Sequence, residues 1–378
     1  MKCLPPLAIA VLGLNVYSYT ILQSQQLDTL GSDRDLFMHR RRDEKITLES
    51  LSDLDQELIH SIPNVTLEEA SKGKELLLEL LRDAGVKEID TKVIQLLPTL
   101  QHVEELYGKG PILEGLAQCE SFRSQGKSLG IAGMFDSGTN LAANFLHNNC
   151  IMPLEIYWQV PWGKHVLAER RLDHDVFKLK KKEYVDPSTV LPVVLIRDPY
   201  FWMQSLCRHN YGAQWLHTNE HCPNLVPNEV DYKTFNFPKG TIPVRIKYDF
   251  AVRKWDSLAH LWTDWYRQYY QDADYPRLFV RYEDLVFYPK QVTQQICECA
   301  GGTLLAQEDF IYEVESAKFG PGHGEARTSW VSAMIRYGSA RKRLEGLTTE
   351  DLRLARNVLD MELMQAFSYQ QPPTDGRR

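Results

Sequence analysis

The chain lacks an excess of basic residues: its 378 residues include 43 lysines and arginines against 50 aspartates and glutamates, a formal net charge of −7. This argues against a protein that attracts nucleic acid through a positive field over its whole surface, and no nucleic-acid partner is expected. The sequence also has no internal repeat and no low-complexity tract. Its length is sufficient for one large domain with extensions. Because the net charge is negative, an anionic ligand would need a local pocket.

Long hydrophobic runs are rare, and the one that stands out occupies residues 3–22, with Lys2 just before it. A membrane-spanning helix needs about twenty apolar residues, which this uncharged run provides, whereas a signal peptide has a shorter apolar core. We expect an uncleaved signal anchor, a single-pass type II topology and a lumenal main domain. A cleaved signal peptide, which would give a secreted protein, is the alternative. The membrane is then a partner through residues 3–22.

Cysteine is scarce, at seven residues, and the even number of six after the apolar run allows disulfides without requiring them. Cys207 and Cys222 flank a histidine-rich stretch. We favour a disulfide between them over zinc, because the spacing matches no standard zinc pattern, and no metal is expected. Cys297 and Cys299 are too close in sequence to pair with each other. Asn64-Val65-Thr66 is an N-glycosylation acceptor, which fits a glycoprotein of the secretory route.

The region after the apolar run is polar before it becomes helical in pattern. Apolar spacing predicts helices over residues 67–81, behind Thr66 as N-cap, and over 90–106. These helices either form a solvated stalk or pack on the rest of the protein. The expected parts are a signal anchor at 1–22, a stem and helical extension at 23–125, the main domain at 126–370 and a disordered tail at 371–378.

Short runs rich in branched apolar residues recur at 129–134, 192–196 and 278–280, each followed by polar residues and a helical pattern. This alternation predicts an α/β fold, with a parallel sheet flanked by helices. In such sheets ligands bind beyond the carboxyl ends of the strands. The residues that carry chemistry should therefore follow these runs directly.

The loop after the first run reads Asp136-Ser137-Gly138-Thr139-Asn140 and leads into a helical pattern. Backbone N–H groups at a helix N-terminus, a glycine that permits close approach and two hydroxyls suit a bound phosphate. The loop is not a Walker motif, since no lysine precedes the serine or threonine at the required spacing. A turn that only caps the helix is the alternative.

Arg197-Asp198-Pro199 follows the second run, and Ser205 comes eight positions after Arg197. Proline favours a helix start, so the arginine before it and a serine two turns along can face one anion. The third run leads into Arg281-Tyr282-Glu283-Asp284-Leu285. Three such blocks in this order are far more specific than any one of them.

Together these motifs resemble the family of sulfotransferases that use 3′-phosphoadenosine 5′-phosphosulfate (PAPS), in its membrane-anchored, Golgi-type branch. The resemblance covers about residues 128–300 well and 301–369 loosely. It implies a P-loop-like parallel sheet, with the 5′-phosphosulfate on Ser137, Gly138, Thr139 and Asn140. It further implies a Golgi membrane location and a hydroxyl acceptor that is a glycan or glycoconjugate. The sequence identifies neither the acceptor nor the oligomeric state.

The resemblance assigns the other cofactor contacts and the catalytic pair as well. Arg197 and Ser205 would hold the 3′-phosphate, Tyr282 would lie near the adenine, and Arg327, in a glycine-rich loop, would close over the 3′-phosphate. In Trp162-Gly163-Lys164-His165, His165 would be the base and Lys164 the cation for the leaving group. Glu155 and Asp136 are the next candidates for the base.

Asp136 departs from the family pattern, in which a lysine often precedes the Ser-Gly-Thr sequence. A carboxylate there would repel phosphate unless it faces away or pairs with a basic group. This residue keeps open a non-catalytic relative that binds nucleotide or glycan without turnover. The other alternative is a P-loop-like kinase or phosphoryl transferase, which the missing lysine and the lack of a clear acidic pair for Mg²⁺ weaken.

Overall fold

A computed structural model describes residues 44–51, 62–125, 127–171, 178–180, 183–234, 236–248, 251–317 and 328–373. The apolar run at 3–22 and Arg327 lie outside these ranges, as do residues 374–378 of the expected tail. Gln371, the first residue of that tail, accepts a hydrogen bond from the Tyr200 hydroxyl at 2.9 Å. Within the described ranges, no helix is both long enough and apolar enough to cross a membrane.

The strands of the described chain are short. They are β1 (Glu44–Ile46), β2 (Val86–Ile89), β3 (Leu113–Glu114), β4 (Ser128–Gly133), β5 (Cys150–Ile151), β6 (Ile156–Tyr157), β7 (Lys178–Lys180), β8 (Glu183–Tyr184), β9 (Val190–Ile196), β10 (Ala213–Gln214), β11 (Val244–Lys247), β12 (Val252–Trp255), β13 (Leu278–Arg281) and β14 (Thr303–Leu304).

The α-helices are distributed along the same ranges. They are α1 (Leu67–Ser71), α2 (Glu75–Asp83), α3 (Thr91–Leu96), α4 (Leu100–Tyr107), α5 (Cys119–Gln125), α6 (Thr139–Asn149), α7 (Pro199–Arg208), α8 (Glu229–Thr234), α9 (Leu258–Arg267), α10 (Tyr282–Phe287), α11 (Pro289–Cys299), α12 (Trp330–Tyr337), α13 (Ala340–Arg343), α14 (Thr349–Val358) and α15 (Met361–Ala366).

The central sheet has the strand order β3-β13-β9-β4-β6. β13, β9, β4 and β6 run parallel, whereas the two-residue β3 pairs antiparallel with β13 at one edge. The three longest strands of this sheet, β4, β9 and β13, coincide with the three branched apolar runs. The predicted α/β class and its parallel sheet are therefore confirmed.

Both faces of the sheet are buried. Along β9, Leu191, Val193 and Leu195 point into one core while Val194 and Ile196 point into the other, which is the two-residue period of a strand. α6 and α11 cover the first core, and α7, α9 and α12 cover the second. Since the two faces are occupied, the carboxyl ends of the strands are where a ligand can reach the sheet.

Each helix predicted in the extension is interrupted once. The pattern over 67–81 is divided into α1 and α2 near Gly73, whose φ of 75° is left-handed and ends a helix. Thr66 caps α1 and forms a capping box with Glu69. The pattern over 90–106 is divided into α3 and α4 around Pro98, which disfavours helical backbone at the preceding residue.

The extension packs against the main domain and adds β3 to its sheet. The buried Tyr107 hydroxyl donates to the carbonyl oxygen of Tyr337 at 2.7 Å. The fully buried Arg281 donates to the carbonyls of Tyr107 and Phe367 at 2.5 and 2.9 Å, and pairs with Asp284 at 2.6 Å. Breaking such a buried pair costs about 3–5 kcal/mol, so these contacts tie the helical extension firmly to β13.

Three disulfides join the described cysteines: Cys207–Cys222, Cys119–Cys299 and Cys150–Cys297. The Cys207–Cys222 bond confirms the sequence prediction. Cys297 and Cys299, which are two positions apart in α11, have different partners, as their spacing requires. The other two disulfides close loops of 180 and 147 residues. In the chain-entropy account, loops of this length each stabilise by about 5 kcal/mol. Three disulfides indicate an extracellular or lumenal environment.

His221, inside the Cys207–Cys222 stretch, has carboxylate partners on both ring nitrogens. It is buried, with Nδ1 2.7 Å from Asp231 and Nε2 2.7 Å from Asp351. No metal-binding cluster occurs among the described residues. Burial opposes the charge on His221, but the hydrogen bonds and charges of Asp351 and Asp231 prevail and raise its pKa. The imidazolium thereby connects the disulfide loop to α8 and α14.

We predict that this network makes stability fall as the pH rises. Because the pKa of His221 is higher in the folded than in the unfolded protein, its contribution is complete at low pH and disappears above the folded pKa. Other shifted groups, such as Lys164 and Glu283, titrate in both wild type and His221→Asn, so the difference between the two proteins isolates His221. In urea unfolding between pH 5.5 and 9, the stability advantage of wild type over His221→Asn should decline by on the order of 1 kcal/mol. His102→Asn, at an exposed position, should keep the wild-type slope. An equal slope in His221→Asn would contradict this assignment.

Candidate functional site

The candidate site lies at the carboxyl ends of three neighbouring parallel strands. β4 ends before the loop with Ser137 and Gly138, β9 ends before Arg197, and β13 ends before Tyr282. β9 pairs with both β4 and β13, so the three loops emerge side by side. The residues that the sequence takes from three separate blocks are therefore brought into one place.

The loop after β4 is a tight turn into α6. Ser137 is buried, and its hydroxyl donates to the carbonyl oxygen of Met134 at 2.7 Å. Gly138 has a left-handed φ of 87° and is the N-cap of α6. The first N–H paired inside the helix is that of Ala142, so the N–H groups of residues 139–141 form the free end of α6. A helix start of this kind binds a phosphate through its backbone donors.

Gly138 lies against the ring of Tyr282. A Cβ on this glycine would approach Tyr282 Cδ2 to 2.1 Å, so the two loops come into direct contact through a position that only glycine fits. The contact fixes the loop after β13 to the loop after β4. The Tyr282 ring is half-buried and also packs edge-on against Tyr337, at 5.2 Å between ring centroids.

We predict that Gly138→Ala destabilises the fold, because the new methyl group displaces Tyr282. The matched control is Gly240→Ala: Gly240 has a φ of 90° but nothing within 4 Å of its Cβ position. Gly240→Ala should therefore lower the free energy of unfolding only by the backbone penalty of about 1 kcal/mol, whereas Gly138→Ala should lower it by at least about 2 kcal/mol more. Denaturant unfolding measures the difference. Equal losses in both variants would show that the contact with Tyr282 is unimportant.

Arg197 is the most enclosed cation of the site, with 4 % of its surface exposed. Its guanidinium carbon lies 4.6 Å from the ring centroids of both Tyr282 and Tyr337. Nη1 donates to the carbonyl oxygen of Asp136 at 2.5 Å, and Nη2 donates to the Tyr337 hydroxyl. Nε is buried and has no acceptor within the described residues. The side chain is therefore held rigidly with one donor still to be satisfied.

Ser205 and Arg208 stand on α7, which begins after Arg197. The Ser205 hydroxyl donates to the carbonyl oxygen of Phe201 at 2.9 Å and accepts from Arg208 Nη2 at 3.1 Å. Burial lowers the pKa of Arg208, whereas Tyr337 and Asp136 raise it, and the positive charges of Arg336 and Arg197 lower it further. The positive charges of Arg197, Arg208 and Arg336 outnumber the carboxylates of Asp136 and Glu283 that act on them, so a further anion would be favoured here. The sequence reasoning missed Arg208, although its place one turn after Ser205 is the signal that could have identified it.

Asp136, the departure from the family pattern, has a left-handed φ of 58° that aspartate tolerates better than most residues. Its carbonyl oxygen is the acceptor for Arg197 Nη1. Burial opposes the charge of Arg197, whereas Tyr337, Tyr282, Glu283 and, as the smallest of these effects, the negative charge of Asp136 raise its pKa. This residue therefore acts on Arg197 through its main chain and its charge.

Lys164 and His165 reach the same loop from the segment after β6. Lys164 Nζ donates to the side-chain oxygen of Asn140 at 2.9 Å, and His165 Nδ1 lies 2.6 Å from the carbonyl oxygen of Gly133. Both side chains are half-buried. Burial lowers the pKa of Lys164 to about 8. Burial, and next the charge of Lys164, lower the pKa of His165 to about 3, so the ring is neutral at physiological pH.

Glu155, the alternative base, lies away from this pair. Its carbonyl oxygen accepts from the N–H of Leu129 at 3.0 Å, which places it at the amino end of β4. The loop and His165 are at the opposite, carboxyl end of that strand. Glu155 is thus too distant to exchange a proton there. The site of the described residues comprises Ser137, Gly138, Thr139, Asn140, Lys164, His165, Arg197, Ser205, Arg208 and Tyr282.

No known protein family, no curated protein and no solved structure matches this chain in comparisons of sequence and fold.

Proposed function

We propose that the chain is a sulfotransferase that moves the sulfonate of PAPS to a hydroxyl group of a carbohydrate acceptor. The observation that carries the proposal is the environment of Arg197. This buried guanidinium joins the phosphate loop to Tyr282 and retains a donor, Nε, without an acceptor in the described residues. Within the same residues, Arg171 and Arg277 also have a buried Nε without an acceptor. The Nε of Arg197, however, belongs to a side chain bonded to the loop after β4, so it fits an anion supplied by a ligand at that loop.

The residues present suit the two ends of PAPS. The free N–H groups at the start of α6, with Gly138 and the Thr139 hydroxyl, would receive the 5′-phosphosulfate. Arg197 and Arg208, with Ser205 between them on α7, would receive the 3′-phosphate. Arg208 extends the set expected from the family. Tyr282 would contact the adenine. Arg327, which lies outside the described ranges, would close over the 3′-phosphate.

His165 is suited to take the proton of the acceptor hydroxyl. The carbonyl oxygen of Gly133 can only accept, so the neutral ring carries its proton on Nδ1 and presents the lone pair of Nε2. The low pKa keeps this form at neutral pH, and the negative charge of a bound donor would raise that pKa and strengthen the base. The proton goes to Nε2 as the acceptor oxygen bonds to sulfur.

Lys164 is suited to stabilise the leaving group. As the bond between sulfur and the bridging oxygen breaks, negative charge develops on the phosphate that becomes 3′-phosphoadenosine 5′-phosphate (PAP). Lys164 is bonded to Asn140 of the phosphate loop, so its charge lies beside that phosphate. A fixed cation at the position of developing charge lowers the barrier. Lys164 would thus supply the cation that many members of the family take from a lysine at the position of Asp136.

We predict that PAP affinity declines above about pH 8. The Lys164 ammonium loses its proton through this pH in the free protein, and the neutral amine attracts phosphate poorly. The association constant from titration calorimetry should be nearly constant from about pH 7, where the phosphates of PAP are fully ionised, to about pH 7.5, and should then fall by up to about tenfold per pH unit. Lys164→Arg should extend the plateau beyond pH 9, since arginine stays protonated. An unchanged decline in that variant would exclude Lys164 as the titrating group.

The proposed cellular setting is the lumenal side of the Golgi membrane, with residues 3–22 as the signal anchor. The three disulfides support a lumenal or extracellular environment. Asn64 of the glycosylation acceptor sequence is exposed, as a glycan site requires. The proposed acceptor class, a glycan, is one that such a compartment contains.

The experiment for this proposal is transfer of labelled sulfonate from PAPS to a pool of neutral and acidic oligosaccharides, with ATP and Mg²⁺ in a parallel reaction. We expect labelled sugar only from PAPS. Phosphate transfer from ATP would replace the proposal with the kinase alternative. Binding of PAP with no transfer to any acceptor would favour a relative that binds without turnover.

A further inference from the structure

A basic face is present on the small sheet of β10, β11 and β12. We define the basic face as Arg245, Lys247 and Lys254. β11 alternates between buried residues, Val244 and Ile246, and the exposed Arg245 and Lys247. Lys254, on β12, is also exposed. The cations thus occupy the solvent side of the sheet, and its other side packs into the core.

The arrangement of these cations is unfavourable for the sheet itself. Arg245 stands directly opposite Lys254 in the antiparallel register, and like charges in that position destabilise a sheet. Arg253, on the other side of β12, has a salt bridge with Glu169. Across the described chain, by contrast, no member of the basic face forms a salt bridge. An exposed face of cations without ion-pair partners suits an anionic ligand.

The basic face is continuous with the candidate site. Extending the register of β10 with β11 by one residue places Gly212 opposite Lys247. A Cβ on Gly212 would lie 3.6 Å from Phe135 Cζ, so the Phe135 ring abuts the solvent side of this sheet. That ring is 4.5 Å from the ring of His165. Neighbouring strands of a sheet lie about 5 Å apart, and alternate residues of one strand lie about 7 Å apart. The distance from His165 to the basic face is therefore short enough for one extended polymer to contact both.

We infer that the acceptor is an acidic polysaccharide, which lies across the basic face and presents a hydroxyl to His165. This inference rests on the proposed function and specifies its substrate. The net charge of −7 repels a polyanion from the protein as a whole, so a local basic face is needed to bind one. An acidic peptide would need pockets for its side chains, whereas Arg245, Lys247 and Lys254 project from an open sheet surface.

The test is binding of polygalacturonate, a uronic-acid polymer, to the full chain without nucleotide. We expect Arg245→Gln/Lys247→Gln/Lys254→Gln to weaken binding more than about tenfold at low ionic strength and to flatten its salt dependence. The control removes three exposed cations elsewhere, Lys72→Gln/Arg82→Gln/Arg123→Gln, and should bind like wild type. The basic-face variant should unfold at or above the wild-type temperature, since the repulsion between Arg245 and Lys254 is removed, and the control variant at the wild-type temperature. Both should bind PAP like wild type.

Three outcomes would overturn the inference: no binding of polygalacturonate by wild type, equal weakening in the two triple variants, or tighter binding of polyglutamate than of polygalacturonate. The last would identify an acidic peptide as the partner. Because this assay contains no nucleotide, its result is separate from that of the proposed function. Failure of PAP binding with the expected polysaccharide result would leave the basic face as a binding surface and reject the sulfotransferase.

Discussion

Replacing Arg197 with alanine is expected to lower the affinity for PAP by about a hundredfold or more. The guanidinium is buried, and the ion pair it would form with the 3′-phosphate is shielded from water, where truncating one partner costs about 2–5 kcal/mol. Titration calorimetry with PAP and with adenosine 5′-monophosphate, which lacks the 3′-phosphate, measures the effect. Only the affinity for PAP should fall steeply.

The comparison within one variant also controls for the structural role of Arg197. Its bonds to Asp136 and Tyr337 support the loop, so alanine loosens the fold as well. General loosening weakens both nucleotides equally, whereas loss of a 3′-phosphate contact changes their ratio. Ser205→Ala should cost less, since a neutral hydrogen bond contributes about 1 kcal/mol. An unchanged ratio of the two affinities in Arg197→Ala would place the 3′-phosphate elsewhere.

Replacing His165 with alanine is expected to reduce sulfonate transfer by about 10²–10⁴-fold and to leave PAP affinity within a few-fold of wild type. The base acts on the acceptor proton in the transition state and has no part in holding the nucleotide. The measurement is turnover with labelled PAPS alongside calorimetry with PAP. His102→Ala, which removes an exposed histidine of α4, should transfer at the wild-type rate.

Lys164→Ala provides the complementary result. It should lower turnover and also weaken PAP binding, because the ammonium lies beside the phosphate loop in the resting protein. Full turnover in His165→Ala would reject the assigned base. Full turnover in both variants would reject the whole catalytic assignment, including the replacement of the usual lysine by Lys164.

Local features of the sequence predicted the parallel sheet and the three loops that follow its strands. The residues of β9 are apolar throughout and all of them are buried, so this strand can be recognised from its own sequence without knowledge of its neighbours. The proline after Arg197 marks the start of α7, and the glycine at 138 has the left-handed backbone that a tight loop requires. In each case the sequence signal and its structural consequence lie within a few residues.

Contacts between segments that are distant in sequence could not be predicted from the sequence. Tyr337 packs against Arg197 from 140 positions away, and nothing near it in sequence distinguishes it from the other tyrosines. The partners of Cys119 and Cys150 likewise depend on how α11 packs, because six cysteines allow many pairings. Such contacts follow from the tertiary packing and carry no local pattern.

The side chains of the loop after β4 offer an anion less than their sequence suggests. Ser137 uses its hydroxyl within the loop, and Asp136 turns its carbonyl oxygen to Arg197. What the loop offers an anion is therefore mainly the backbone at the start of α6. The charges come from its neighbours, Lys164 on one side and Arg197 on the other.

Thermal unfolding with PAP, and separately with ATP and Mg²⁺, tests the central claim most directly, because it needs no knowledge of the acceptor. PAP at about a hundredfold excess over its dissociation constant should stabilise the protein by about 2.7 kcal/mol and raise the melting temperature by roughly 5 °C. ATP with Mg²⁺ should leave it unchanged. A shift with ATP and Mg²⁺ and none with PAP would contradict the account.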